Sequence, residues 1–368
     1  MTTILNVLSV LGGLAMFLYG MALMSDGLQK SAGDRLRAFM AKMTSNAFKR
    51  VLTGTVVTCL VQSSSATTIM VVSFVNAGLL TLGNAIGVIM GANIGTTLTA
   101  WITSLGFSVN IALFAVPMMA FGYLLYSSKK ASLKNVGQFL MGFAVMYVGL
   151  TFMKDCSNAV LGQYQTGMMN FFGSINGFGF GSILLFLIAG AVLTIVLQAS
   201  SATMAITMLL AASGLIDFKL AVAMVLGENI GTTITANIAA AVGNAQAKRA
   251  AMSHTIFNVF GVCWALIFFK PFLGLVGKVI EVLFGLPNPA AEGFAVGSQN
   301  SPDATAALYG LSMLHTLFNT INTIILIWFI RFIEKAVVWI IKDKKIHEDN
   351  AFSLKYISAG PIATPDLA

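Results

Sequence analysis

Long apolar segments, separated by short polar ones, set the pattern of this chain of 368 residues. No charged residue occurs between Val51 and Ser128, and none occurs between Cys156 and Ile216. Each stretch has room for several helices of about 20 residues, the length that crosses the hydrocarbon core of a bilayer. The pattern therefore predicts an all-α polytopic membrane protein, with candidate spans at residues 4–24, 80–103, 108–127, 136–153, 217–241, 252–270 and 306–330.

Two further apolar segments carry hydrogen-bonding side chains near their centres. Residues 51–76 contain "VQSSSATT" (Val61–Thr68), and residues 183–210 contain "LQASSATM" (Leu197–Met204). A chain that turns inside the membrane leaves backbone groups unpaired, which is tolerated only where protein or a water-filled cavity surrounds the turn. Ser, Thr and Gln side chains supply replacement partners, so each segment is predicted to be a re-entrant helical hairpin.

The two polar phrases belong to an internal repeat. "MGANIGTTLTA" (Met90–Ala100) matches "LGENIGTTITA" (Leu226–Ala236) at eight of eleven positions, and these phrases are 136 residues apart. Gln62 and Gln198 are separated by the same 136 residues. A weaker echo upstream relates "GLAMFLYGMALMSD" to "GFAVMYVGLTFMKD". Two separate phrases at one spacing indicate that the chain is built from two related halves.

Paired glycines lie inside the second phrase of each half. Because glycine adopts unusual backbone dihedrals at low cost, the glycines predict broken transmembrane helices over about 80–103 and 217–241. Unwinding would free backbone carbonyls beside the polar side chains of the same phrases. The glycines concerned are Gly91, Gly95, Gly227 and Gly231.

Composition and charge fix the orientation. Hydrophobic residues make up 57% of the chain and charged residues 9%, against about 25% charged in soluble domains. If both polar segments are hairpins, seventeen of the 21 lysines and arginines fall on one side, whereas "PNPAAEGFAVGSQNSPD" on the other side has none. The positive-inside rule selects this arrangement, which also makes the halves inverted relative to each other.

The arrangement divides the chain into four parts and predicts an integral protein of the cell (inner or plasma) membrane with a cytoplasmic C-terminus. The first inverted repeat covers 1–128 and the second covers 129–285. An extracellular loop and a final transmembrane helix occupy 286–341, and a cytoplasmic tail occupies 342–368.

The hydroxyl-rich phrases predict an anion site. A helix that begins after a turn presents unpaired N–H groups with partial positive charge. Two such helix ends with converging hydroxyls suit a tetrahedral oxyanion, which accepts hydrogen bonds from several directions. The candidate oxyanion ligands are Gln62, Ser63, Ser64, Ser65, Gln198, Ser200 and Ser201.

The glycine-containing phrases predict oxygen cages for a hard monovalent cation such as sodium. Glu228 is the one acid that the predicted spans place near the membrane midplane, and an acid there is a functional candidate because its burial is costly. It would neutralise a cation or titrate with a proton. The other candidate ligands are Asn93, Thr96, Thr97, Asn229, Thr232 and Thr233.

The paired glutamine–serine phrases, each followed by G-x-N-I-G-T-T, resemble the type II sodium–phosphate cotransporter family over roughly residues 10–330. The resemblance implies a sodium-coupled symporter that takes up inorganic phosphate by alternating access. It implies that the glutamine–serine phrases hold phosphate and part of the sodium sites, which adds Ser65, Thr67, Thr68 and Thr203 as cation ligands. At three positions of these phrases a polar residue in one half faces an apolar one in the other, namely Ser63 and Ala199, Thr68 and Met204, and Glu228 and Ala92.

Other functions are weighed against this interpretation. A carrier of another oxyanion, proton coupling through Glu228 and an anion channel remain alternatives, and a homo-oligomer stays open.

The basic residues lie in short loops and not on one extended face, which disfavours nucleic acid. Three scattered cysteines form no disulfide framework. Three histidines form no metal-binding spacing, so neither an enzyme nor a cofactor is expected, and sodium acts as the coupling ion. "HTIFN" and "HTLFN" (254–258 and 315–319) predict hydrogen bonds between helices, with direct contact to the substrate or to a proton as the alternative.

Overall fold

The structure, a computed structural model, describes residues 2–42, 46–109 and 111–343. Within these ranges the chain is helical and contains no strand. The predicted tail lies outside the described residues from position 344 onward. The helices are α1 (Thr2–Lys42), α2 (Ala47–Val61), α3 (Ser64–Asn76), α4 (Leu82–Ser108), α5 (Ala112–Tyr126), α6 (Ala131–Asn176), α7 (Phe180–Leu197), α8 (Ser200–Ala212), α9 (Phe218–Ala240), α10 (Ala245–Ile267), α11 (Phe269–Phe284), α12 (Pro302–Leu326) and α13 (Ile330–Ile340).

Five helices in the described part of the chain are long and apolar enough to cross a membrane. Three shorter apolar helices, Ser64–Asn76, Leu113–Tyr126 and Ser200–Ala212, accompany them. The predicted all-helical polytopic membrane protein is therefore confirmed. The five candidate spans are Ile4–Ala32, Leu82–Ser108, Ala131–Val160, Phe180–Leu197 and Ala245–Ile267.

α1 and α6 form a tightly packed antiparallel pair. A Cβ atom on Gly13 would lie 2.7 Å from the backbone N of Met153, and one on Gly27 would lie 2.7 Å from that of Phe139. Side chains at these positions would collide with the facing backbone, so the glycines let the two helices approach closely. The two weakly similar segments, residues 13–26 and 142–155, belong to these two helices.

The predicted breaks in the helices over about 80–103 and 217–241 are wrong, since α4 and α9 each continue without interruption. A Cβ atom on Gly91 would lie 1.9 Å from a carbonyl oxygen of α2, and one on Gly227 would lie 1.8 Å from a carbonyl oxygen of α7. The glycines therefore serve close helix packing and not unwinding. Their backbone carbonyls are not freed by a break, and that part of the cation prediction has no structural basis.

α2 and α4 run in the same direction. The first turn of α2 contacts Gly87, where a Cβ atom would lie 2.7 Å from Cβ of Arg50, and Thr58 near the end of α2 contacts Gly95. The intervening α3 must therefore run back. Thr58 Oγ1 donates a hydrogen bond of 3.1 Å to Thr67 Oγ1, although these residues would be about 13 Å apart along one continuous helix.

The second half repeats this geometry. Gly227 contacts Leu187 and Gly231 contacts Thr194, so α7 and α9 also run in the same direction. Thr194 Oγ1 donates a hydrogen bond of 2.9 Å to Thr203 Oγ1 across the turn. Each half therefore has a helix–turn–helix segment packed on one long helix, and the turn is at the hydroxyl-rich phrase.

The two histidine–asparagine echoes link α10 and α12 to these long helices. Nε2 of His254 lies 3.3 Å from Oδ1 of Asn93 in α4, and Nε2 of His315 lies 3.2 Å from Oδ1 of Asn229 in α9. The predicted hydrogen bonds between helices are confirmed. Since Nδ2 of Asn93 donates to the carbonyl of Ile89, its Oδ1 is the atom left for the histidine.

Candidate functional site

The two turns have an unusual backbone conformation. Gln62 (φ 54°, ψ 24°) and Gln198 (φ 53°, ψ 23°) are the non-glycine residues with positive φ within the described ranges. A residue with a side chain rarely adopts this left-handed region, so each turn depends on contacts that hold it there. Each glutamine ends one helix, one extended residue follows, and the next helix begins.

The glutamine side chains supply those contacts. Nε2 of Gln62 donates to the carbonyl of Cys59 at 2.5 Å, and its Oε1 accepts from Thr99 Oγ1 at 3.1 Å. Gln198 likewise donates to Ile195 at 2.5 Å and accepts from Thr235 at 3.2 Å. The glutamines thus tie the turns to α4 and α9. Their predicted contact with an oxyanion stays a prediction.

Sequence reasoning overlooked the two threonines that anchor the turns. Thr99 and Thr235 lie within the repeated glycine-containing phrases and are separated by the same 136 residues as the two glutamines. That spacing was the available signal. Their place inside a phrase that also offers cation ligands hides this role in the sequence.

The helices that follow the turns begin differently. Ser63 Oγ accepts from the backbone N–H of Ala66 at 3.1 Å and so caps α3. Ala199 occupies the equivalent place before α8, where no side chain caps the helix. No side chain therefore occupies the first N–H groups of α8, although that of Ala202 donates to the backbone carbonyl of Ala199 at 3.2 Å. The beginning of α8 is the more suitable of the two for an anion.

Both turns line one cavity of about 480 Å³. All seven predicted oxyanion ligands contribute to its wall: Gln62, Ser63, Ser64, Ser65, Gln198, Ser200 and Ser201. Residues 136 apart in the chain are thus brought together, as the repeat predicted. The rest of the wall consists of Leu18, Met21, Ala22, Ser25, Asp26, Gln29, Thr96, Thr99, Ala100, Ala199, Met204, Glu228 and His315.

One edge of α1 forms a part of this wall that the sequence did not reveal. Ser25 Oγ donates to the carbonyl of Val61, directly before the first turn, and Gln29 Nε2 donates to Ser25 Oγ at 2.8 Å. Asp26 accepts from Lys30 and from Gln138 in α6, each at 2.5 Å. α1 therefore contacts the first turn through Ser25 and contacts α6 through Asp26.

The predicted cation ligands divide into two groups. Ser65, Thr96 and Glu228 line the cavity. The others are not among the described residues that line it. Thr67 and Thr203 form hydrogen bonds across the turns, and Asn93 and Asn229 bond to the histidines. Thr97, Thr232 and Thr233 donate to carbonyls of their own helices, and Thr68 Oγ1 is buried without a hydrogen-bond partner among the described residues. The structure thus does not bring the eleven candidates into one cage.

Glu228 is the most distinctive group in the wall. Its side chain is 2% exposed, and Oε2 has no hydrogen-bond partner in the described part of the chain. A buried carboxyl group is costly unless it is paired or neutral. The described residues hold no cluster of three His, Cys, Asp or Glu residues that would bind a metal ion.

Comparisons with known proteins identify a family that this chain matches. A family model described as "Na+/Pi-cotransporter" matches residues 16–155 and 175–287. The inorganic phosphate export protein YjbB of Escherichia coli (strain K12) is 26% identical over 366 residues, which cover 99% of this chain and 61% of YjbB. No solved structure matches the chain.

Two other relatives differ in how much of each chain they cover. Protein YqeW of Bacillus subtilis (strain 168) is 31% identical over 274 residues, or 74% of this chain and 84% of YqeW. Sodium-dependent phosphate transport protein 2A of Rattus norvegicus is 40% identical over 108 residues, or 28% of this chain and 17% of that protein.

The chain spans about three fifths of the length of YjbB. The family model covers both halves, each with its turn and its long glycine-containing helix. The chain therefore belongs to the Na+/Pi-cotransporter family.

Proposed function

We propose that this protein is a secondary-active carrier that couples sodium to inorganic phosphate by alternating access. The observation that carries the proposal is the joint cavity, whose wall contains seven hydroxyl- or amide-bearing residues from the turns of the two halves. Membership of the Na+/Pi-cotransporter family supports the choice of ions.

Phosphate would bind between the turns, with its charge directed to the beginning of α8. The capping hydroxyl of Ser63 already occupies an N–H group of α3, whereas Ala199 leaves the N–H groups of α8 without such a partner. Ser200 and Ser201 then add hydroxyl donors beside that helix end. A tetrahedral anion accepts well from such a divergent set of donors.

Sodium would supply the charge that the helix ends cannot. Partial charges at helix termini are too small to offset the burial of a multiply charged anion. Cations bound near Ser65, Thr96 and Glu228 would reduce the net charge of the cavity. Each ion then raises the affinity for the other, which is the thermodynamic requirement for coupled transport.

Alternating access would use two inverted halves, each with a re-entrant hairpin. α1 and α6 are antiparallel. α4 runs antiparallel to the segment from α12 to α13, whereas α9 runs parallel to that segment. These directions support inversion. The reversed direction of α3, which lies between α2 and α4 in the chain, supports a hairpin that enters and leaves on one side. The contacts concerned are Gly83 with Glu334 and Trp101 with Thr316 for α4, and Phe218 with Gly310 and Asn229 with His315 for α9.

Phosphate flux into proteoliposomes that contain the purified protein tests the proposal. An inward sodium gradient should drive accumulation of radiolabelled phosphate, and potassium should not replace sodium. Flux that follows a pH gradient without sodium would indicate proton coupling through Glu228. Currents far above carrier turnover would indicate an anion channel, and the absence of any phosphate flux would refute the proposal.

Phosphate export is the second candidate. It is favoured by the names of the YjbB relatives, which describe inorganic phosphate export. A coupled carrier moves its ions in the direction that the combined gradients dictate, so the cavity geometry suits either direction. Vesicles loaded with phosphate, with the sodium gradient reversed, distinguish uptake from export. A carrier restricted to export would move phosphate in one direction across the protein only.

A further inference from the structure

A second notable surface lies away from the cavity, on α13. After a 3₁₀ turn at residues 327–329, α13 buries Ile330, Ile333 and Val337 against the body of the protein. The opposite side is rich in aromatic side chains that remain exposed. Trp328 is 83% exposed, and Trp339 is 78% exposed. An amphipathic helix of this kind, with large aromatic residues on its free side, is typical of the membrane–water interface.

The course of α13 supports that location. Gly83, at the beginning of α4, lies against the Glu334 carboxylate, since a Cβ atom on this glycine would lie 3.4 Å from Oε2 of Glu334. Near the beginning of α10, Nε of Arg249 donates to the carbonyl of Ile341 at 2.9 Å. Arg249 also pairs with Asp343 at 3.2 Å. α13 therefore reaches from the beginning of one long helix to the beginning of another.

Those two beginnings lie on the same side of the protein. Positions 334 and 341 are about 10 Å apart along a helix. Asn93 of α4 and His254 of α10 are hydrogen-bonded well inside both helices. If α4 and α10 ran in opposite directions, their beginnings would be separated by more than α13 can bridge. α13 thus crosses one end of the helix bundle and does not span the membrane.

Basic residues accompany the aromatic side of α13. Arg331 and Lys335, one helical turn apart, are exposed and form no ion pair with any described residue. They line a groove of about 610 Å³ together with Glu334, Val338 and Trp339. Glu334 is the only acid among the described residues that line the groove, and its carboxylate lies beside Gly83.

We propose that this groove binds the head group of an acidic phospholipid. Two cationic side chains beside exposed tryptophan match a negatively charged head group above an apolar acyl region. A zwitterionic head group would gain less, because it carries no net charge. Bound lipid would also hold α13 against the beginnings of α4 and α10, which it contacts through Glu334 and Ile341.

Tryptophan quenching in nanodiscs tests the proposal with the full chain. The chain has four tryptophans, two of them in or next to α13. A small fraction of brominated phosphatidylglycerol in a phosphatidylcholine bilayer should quench more strongly than the same fraction of brominated phosphatidylcholine. Since each basic residue near an anionic surface contributes about 1 kcal/mol, or roughly fivefold, the double variant Arg331→Gln, Lys335→Gln should weaken the preference about 10- to 30-fold.

The matched control is Lys129→Gln, Lys130→Gln, which removes two exposed charges elsewhere on the protein. It should retain the preference for the acidic lipid. Equal quenching by the two lipids with the unmodified protein would overturn the proposal. So would a preference that survives in the α13 variant, or one that is lost equally in the control. The measurement contains no inorganic phosphate, so its result is independent of the proposed transport function.

Discussion

Replacing Ala199 by serine tests whether the beginning of α8 holds the anion. Ala199 has φ −145° and ψ 104°, and Ser63 has φ −151° and ψ 109°. Because the two backbones match, the introduced hydroxyl should accept from the N–H of Ala202 as Ser63 Oγ accepts from that of Ala66. It would take that N–H from the Ala199 carbonyl, which accepts from it at 3.2 Å. The variant would give α8 the cap that α3 already has.

The expected magnitude follows from the hydrogen bond that phosphate would lose. A hydrogen bond to a charged group contributes about 1.5–3 kcal/mol, and each 1.4 kcal/mol changes an equilibrium constant about tenfold. Ala199→Ser should therefore raise the phosphate Kd about 10- to 150-fold. A new helix cap adds about 1 kcal/mol to stability, so the melting temperature should stay level or rise.

Equilibrium binding of radiolabelled phosphate at fixed sodium concentration measures this effect, and thermal unfolding of the same sample shows whether the cap has formed. The mirrored variant Ser63→Ala removes the cap of α3, so it should lower stability by about 1 kcal/mol without a comparable loss of affinity. A more stable Ala199→Ser protein that binds phosphate as tightly as the unmodified protein would refute the reasoning.

Three further predictions follow from the packing and the cavity wall. Gly227→Ala should lower the melting temperature sharply because its Cβ would lie 1.8 Å from a carbonyl oxygen, whereas Gly274→Ala, with no atom within 4 Å, should not. Glu228→Gln should weaken sodium activation of phosphate binding severalfold, and an unchanged sodium curve would remove Glu228 from the cation site. Thr99→Val should reduce the free energy of unfolding by about 1 kcal/mol through loss of its hydrogen bond to Gln62, as measured by denaturant titration.

Much of the site could be predicted because the repeat carries it. Gln62 and Gln198 stand at one fixed spacing within apolar segments, and a turn inside the membrane needs polar partners of this kind. The prediction that both turns contribute to a common site rested on inversion of the halves. The structure places both in one cavity wall.

The role of the glycines could not be predicted in the same way. Gly91 and Gly227 are compatible both with an unwound helix and with a close helix contact, and a single sequence does not distinguish these. The backbone that faces each glycine decides between a packed and an unwound helix. Gly91 faces α2 and Gly227 faces α7, and neither contact is visible in the phrase itself. The cation prediction depended on unwinding and was therefore only partly matched by the cavity wall.

The contribution of α1 also depends on tertiary structure. Ser25 and Gln29 lie near the end of an apolar span, where polar residues are ordinary. Only the placement of α1 over the first turn makes them part of the wall. Ser25 and Gln29 lie outside the repeated phrases, so no fixed spacing indicates their role. Thr99 differs because it lies inside a repeated phrase.

Phosphate binding to the purified protein tests most directly whether both turns form one site. With sodium present, the unmodified chain should bind a single phosphate, and either Ser64→Ala or Ser200→Ala should reduce the affinity at least tenfold while the melting temperature changes little. Two independent phosphate sites per chain, or a site that depends on one turn and is indifferent to the other, would contradict the account.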